Sequence, residues 1–248
     1  MHKKKGSHIG MMLSFVIFII FLTFMYTLIE PVVKKQPSKN NLLEYLKKEI
    51  IAQTSDILVS ATITNTTLSN YDCLLINHSK FLPANEFDYE NMGYIVKDEN
   101  GSIVSSLISL YGAGLERTAI NWSGNQSFLK IFYSKENFTS DRLSWSDDCQ
   151  SSTPNSSLGL VLYKKIVFEN KMEDLIKKYN TNYILLKRDL KIPFDTDFVL
   201  DFVLENGTEI RTGVPGNISV NVFSEEYIMP YVDSKANIKS GKLKIWMW

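Results

Sequence analysis

The residue types that most often carry chemistry are scarce in this chain. Of the three histidines, His2, His8 and His78, only His78 lies beyond the apolar N-terminal run, inside the triplet Asn77-His78-Ser79. One histidine does not build a usual zinc site, and no nucleophile-elbow motif accompanies it to complete a hydrolase triad. Asp195, Asp197 and Asp201 point the same way from one strand and could gather carboxylates for calcium. The same alternation with phenylalanine describes any solvent-facing strand, and the glycine-bearing loop of an EF-hand is missing. Asp147-Asp148 is a similar acidic pair beside Cys149. Gly112-Ala113-Gly114 lacks the spacing and the lysine of a phosphate loop. Two carboxylates suffice for a glycosidase, but their separation is set by the fold. No catalytic residue, cofactor site or metal site is therefore expected.

Two other groups have definite chemistry. Cys73 and Cys149 are the only cysteines. In an oxidising exterior they have one possible pairing, a disulfide closing a long loop and worth about 4 kcal/mol in the chain-entropy description; the alternative is two buried thiols. Trp246 and Trp248 share the even face of a terminal strand with Lys242 and Lys244, while Leu243, Ile245 and Met247 hold the odd face. Two indoles on one face mark either a contact surface or the inner side of a sheet covered on both faces.

Asn-x-Ser/Thr triplets begin at Asn65, Asn77, Asn100, Asn121, Asn125, Asn137, Asn155, Asn206 and Asn217, nine in all and none with a central proline. Chance would place about three. The excess points to a glycosylated exterior surface, against the plainer reading that Asn, Ser and Thr populate turns.

The elements that must position these groups are ordered around one uncharged stretch. Residues 9–29 read IGMMLSFVIFIIFLTFMYTLI, 21 residues without a charge. A helix of that length crosses a hydrocarbon core, and helix is the state that satisfies a lone crossing segment's backbone in lipid. No comparable run occurs later in the chain. The expected organisation is a basic cytoplasmic leader (1–8), a transmembrane helix (9–29), a stalk with an amphipathic helix (30–55) and a β-rich exterior domain (56–248) with a possible subdivision near 158. Lys34, Lys35 and Lys39 nearly balance Lys3, Lys4 and Lys5 across the anchor, so the sequons decide the orientation: N-terminus cytoplasmic, C-terminal part outside. No small-x-small cleavage site lies beyond the apolar run. The chain carries 27 basic and 27 acidic residues. With the leader lysines set aside no basic excess remains, so a nucleic-acid partner is not expected.

Lys3-Lys4-Lys5-Gly6, followed at once by the apolar helix, resembles the class III leader of type IV pilins, especially archaeal pilin-like proteins. The resemblance covers about the first thirty residues. It implies cleavage between Gly6 and Ser7, with the apolar helix left intact for assembly with like or other pilin-like subunits. Many pilins carry glutamate at the fifth residue after the cut, where this chain has Met11. An uncleaved single-pass anchor is the alternative.

Beyond the anchor, Pro31 and Pro37 are expected to break or kink the helix. Asn40 or Asn41 then caps a second helix with Leu42, Leu43, Leu46, Ile50 and Ile51 on one face. That face docks on the sheet or on a neighbouring subunit. Period-two patterning from Asp56 predicts a half-buried strand, with further strands at 73–76, 93–96, 103–110, 127–133 and 158–168. Asn100-Gly101 suits a type I′ hairpin, and Asn170 with Glu173 has the spacing of a capping box ahead of a helix that Asn180 and Asn182 could interrupt. Phe194, Phe198, Leu200, Phe202 and Leu204 alternate with acidic residues, one face buried and one wet, and later strands fill 209–248, with Pro230 favouring an edge. The fold class is α+β, a mostly antiparallel β-rich exterior domain with two helices after the anchor. The function that fits is a non-enzymatic, membrane-anchored, pilin-like surface protein. A tethered module binding a surface carbohydrate or protein, and an anchored hydrolase, are the alternatives.

Overall fold

The computed structural model describes residues 7–65, 73–77, 92–111, 115–121, 127–139, 156–213 and 221–248. The first element is one continuous helix, α1 (Ser7–Thr54), of 48 residues. α1 runs uninterrupted through Pro31 and Pro37, so of the break or kink expected there the break is absent, and Asn40 and Asn41 sit inside the helix rather than capping a new one. Each proline removes one backbone bond, which a long helix tolerates when the turns on both sides hold. The first part, Gly10–Thr27, is apolar and wholly exposed in the isolated chain. Its threonines direct their hydroxyls internally, Thr23 donating to the Ile19 carbonyl and Thr27 to that of Phe24, both at 2.8 Å. The last turns are the reverse: Leu43, Leu46 and Ile50 are buried. They dock on this chain's own sheet, which settles the choice left open by their spacing.

No loop separates α1 from β1 (Ser55–Asn65). There follow β2 (Cys73–Asn77), β3 (Gly93–Lys97), β4 (Ile103–Val104), β5 (Ser106–Tyr111), β6 (Leu115–Asn121), β7 (Phe128–Ser134) and β8 (Ser156–Phe168). Then come α2 (Glu169–Thr181), α3 (Tyr183–Asp189), β9 (Phe198–Val203), β10 (Glu209–Arg211), β11 (Phe223–Val232) and β12 (Ile238–Met247). A nine-stranded sheet has the order β10-β9-β12-β11-β8-β1-β7-β3-β4, and a three-stranded sheet the order β2-β6-β5. Pairing is antiparallel except between β8 and β11, which meet in parallel only at Val167–Tyr231 and Phe168–Val232. The chain is α+β with a mostly antiparallel sheet, as its patterning predicts.

Three clusters of buried side chains hold these layers together. α1, α2 and α3 cover one face of β9, β12 and β11, where Leu46, Met172, Leu186, Phe198, Phe202 and Ile245 are all fully buried. The small sheet covers β1 and β7, enclosing Val59, Ile63, Leu74, Ile120, Ile131 and Tyr133. On the opposite face of β1, Leu58 packs with Ile166, Phe168 and Val232. Each such side chain contributes about 1.5–3 kcal/mol of hydrophobic stabilisation.

Several local expectations are corrected. The Asn100-Gly101 hairpin is not type I′, which needs positive φ at both central residues. Only Gly101 is left-handed, at +81°, and its N–H bonds the Asp98 carbonyl at 3.0 Å while Asp98 N–H bonds Ser102. This is a type I turn closed by a glycine bulge. Asn206-Gly207 repeats it, with Gly207 at +83°. The 103–110 strand is split into β4 and β5, each paired in a different sheet. The Asn170 capping box does not form: α2 starts at Glu169 straight from β8, and the Asn170 side chain bonds Lys171 N–H and Glu136 instead. Asn182 ends α2 and caps α3, its Oδ1 accepting from Leu185 N–H at 3.1 Å. Phe194 precedes β9 and is 83% exposed, so the buried alternation begins only at Phe198. β11 is interior to the sheet, yet Pro230 stands just before its two pairs with β8, where that side carries no ladder. Of the strands expected over 209–248, the first is only the three-residue β10 (Glu209–Arg211), and residues 214–220 lie outside the described residues.

Candidate functional site

Helices occupy one face of β9 and β12. The opposite face carries a cleft of about 430 Å³. Period-two geometry selects its lining: with Phe198, Leu200 and Phe202 turned inward, β9 offers Val199 and Asp201, and with Ile245 and Met247 inward, β12 offers Lys244 and Trp246, followed by Trp248. Register completes the site. Val199 stands opposite Trp246, Asp201 opposite Lys244, and on the other side Asp201 stands opposite Arg211. Glu209 joins Arg211 from β10. Thr212 lines one end, its hydroxyl accepting from Leu200 N–H and donating to the Leu200 carbonyl, which fastens the chain after β10 to β9.

The two indoles belong to a face that the sequence left between contact surface and covered sheet. Trp248 is 8% exposed, and Trp246 is half-buried. Trp248 is fixed by its backbone, whose N–H and carbonyl both pair with Asp197 at 3.0 Å.

Asp201 departs most from the sequence pattern. It belongs to the face expected to be wet, yet it is 5% exposed. Arg211 Nη2 lies 3.7 Å from its Oδ2 and also pairs with Glu209. Its Oδ1 is buried with no hydrogen-bond partner. An unpaired buried acceptor of this kind costs about 1–3 kcal/mol, more when charged. Lys244 turns toward Glu226, 3.8 Å away, and Lys242 shares that carboxylate at 3.1 Å.

The three aspartates weighed above as calcium ligands do not converge. Asp195 and Asp197 precede β9, and only Asp201 is in it. Asp197 receives Lys187 Nζ and the Tyr183 hydroxyl, each at 2.9 Å. Burial works to raise its proton affinity, and these hydrogen bonds outweigh it, holding the carboxyl below its ordinary range. Among the described residues no cluster of three metal-ligating side chains occurs.

Of the sequons, Asn100, Asn137 and Asn206 are exposed. Asn65, Asn77 and Asn121 end β1, β2 and β6. Asn125, Asn155 and Asn217 lie outside the described residues, as do Gly6, His78, Gly112 to Gly114, Asp147, Asp148 and Cys149. Ser7 opens α1. Cys73 starts β2, and among the described residues there is no disulfide.

Sequence reasoning placed Trp246, Trp248 and Lys244 together on one strand face and Asp201 on another strand, did not join the two, and missed Arg211, Glu209, Thr212, Val199 and Val222. Strand alternation gives each residue its face but not which strands are neighbours. No known protein family, curated protein or solved structure matches this chain.

Proposed function

We propose that this chain is a non-enzymatic, membrane-anchored surface protein of pilin-like build, with the folded part outside the cell. The observation that carries the reading is α1, whose Gly10–Thr27 segment is bare and apolar while its last turns are sealed into the core by Leu43, Leu46 and Ile50. One continuous helix thus joins a membrane-length segment to the sheet. The Lys3-Lys4-Lys5-Gly6 leader supports processing before Ser7, and the exposed Asn100, Asn137 and Asn206 support glycosylation of the exterior. An oxidising location gives Cys73 and Cys149 one partner each.

The test is intact-mass and N-terminal peptide mass spectrometry on protein taken from its own membrane. A start at Ser7 with hexose-bearing peptides at Asn100, Asn137 or Asn206 is the expected result. Unprocessed, unglycosylated protein released from membranes by alkaline washing would overturn the reading.

A second reading, in which α1 is a tether for a ligand-binding module, is favoured by the cleft between Trp246 and Arg211. The two readings are compatible. The module would sit on the sheet face that α1 leaves free.

A further inference from the structure

We infer that the cleft on the outer face of β9, β10 and β12 binds a neutral saccharide, a proposal that rests on the ligand-binding reading above. Three properties of the site specify the ligand.

The first is the unmet acceptor. Asp201 Oδ1 is buried without a partner, so an occupant that donates a hydrogen bond there removes a standing cost. The second is the pair of indoles, Trp246 and Trp248. The negative π-face of an indole attracts the weakly positive hydrogens of a flat apolar surface. The third is charge. Asp201 and Glu209 are balanced by Arg211 and Lys244 within the same lining. An alkylammonium ligand, which also suits indoles, would meet the guanidinium, and an anion would meet the carboxylates. A pyranose supplies what remains: a C–H face for the indole, hydroxyls that donate to carboxylates and accept from guanidinium, and no net charge. The cleft, at about 430 Å³, falls within the range of small-ligand pockets.

The experiment uses the full chain in a zwitterionic detergent that carries no sugar. Disaccharides of glucose, galactose, mannose and N-acetylglucosamine are titrated while tryptophan emission and calorimetric heat are followed; tetramethylammonium and acetate serve as charged probes. Saturable binding of at least one disaccharide is expected. Trp246→Ala and, from a different strand, Asp201→Ala should each weaken it about tenfold or more. Ile228→Ala, at an exposed side chain outside the lining, should leave it unchanged. Circular dichroism establishes which variants fold, and either of the two cleft variants is sufficient alone. Disaccharide binding that survives a folded cleft variant places the sugar elsewhere and overturns the proposal. Binding of a charged probe alone overturns the saccharide but keeps the ligand-binding module. Silence from every probe removes both.

Discussion

Arg211 Nη2 stands 3.7 Å from Asp201 Oδ2 across the β9–β10 ladder, and these partners differ sharply in exposure: the guanidinium side chain is 61% exposed, the carboxylate 7%. The buried partner therefore depends on the exposed one. Arg211→Met leaves Asp201 without its cation and should destabilise the fold by about 1–3 kcal/mol. Asp201→Leu combined with Arg211→Met should cost less than Arg211→Met alone, because no buried charge is stranded. Urea unfolding of the three proteins checks the order.

Asp233 and Asp98 perform the same task at different depths. Each accepts two backbone N–H bonds within its turn, from Lys235 and Asn237 in one case and from Asn100 and Ser102 in the other. Asp233 is 8% exposed and adds a 2.8 Å ion pair with Lys239. It also orients Asn237, whose Oδ1 accepts from the buried Lys97 Nζ at 2.6 Å. Asp233→Ala should cost about 2–3 kcal/mol and Asp98→Ala about 1 kcal/mol, read from urea midpoints.

Acid should weaken the fold through a defined set of carboxylates. At Asp56, Asp197 and Asp233 burial raises proton affinity, but hydrogen bonds, from Lys171 and Ile57 N–H at Asp56 and from Lys239 and Asn237 at Asp233, prevail and hold each below the ordinary 3.8. The unfolded chain then binds more protons than the folded one around and below that value. Their stabilisation is present above about pH 4 and lost as pH falls through the lower folded values. Glu169, raised by burial and by Asp233, opposes this weakly. Lys171→Met removes the partner of Asp56 at 2.8 Å and of Glu136 at 3.1 Å. Urea midpoints measured between about pH 6 and pH 3 should fall for the parent and fall less for Lys171→Met, which begins lower.

The two halves of α1 should respond to substitution in opposite ways. Leu46→Ala removes a fully buried side chain and should cost about 2–5 kcal/mol of fold stability. Phe18, exposed in the bare segment, should leave the unfolding midpoint unchanged when replaced by Asp while lowering recovery in the membrane fraction. Thermal melts and vesicle flotation separate the effects.

Gly93 has no room for a side chain: a Cβ there would collide with the backbone of Glu136 and Asn137. Gly93→Ala must move the chain after β7, which carries the Glu136 partner of Lys171. A lowered melting temperature together with reduced sensitivity to Lys171→Met is the expected result.

Much of this was legible in the chain because period two and period 3.6 are local properties. Ile57 to Ile63, Phe198 to Phe202 and Leu243 to Met247 declare their inner faces, and Leu43, Leu46 and Ile50 declare the docked stripe. Failures arose where the decision was made at a distance. Pro31 and Pro37 read as breakers, yet the turns around them carry α1 through. Asn170 has a capping spacing, but Glu136 claims its amide. Asp201 alternates with phenylalanines as a solvent-facing residue would. It is flanked instead by β10 and β12, which set Arg211 and Lys244 opposite it, a register that no local pattern records. The cleft was illegible for the same reason, although both indoles on its rim stood out.

The docked end of α1 has a kinetic consequence. The Tyr227 hydroxyl donates to Glu44 across 183 positions of sequence, and Lys47 Nζ lies 3.7 Å from the centre of the Tyr227 ring. Such distant contacts must be closed before they stabilise anything, which slows folding. During synthesis the stripe of Leu43, Leu46 and Ile50 emerges early, while β11 and β12, which complete its seat, emerge late. For that interval it is a sticky helix face on a newborn chain, the segment that a chaperone or another nascent copy would meet first.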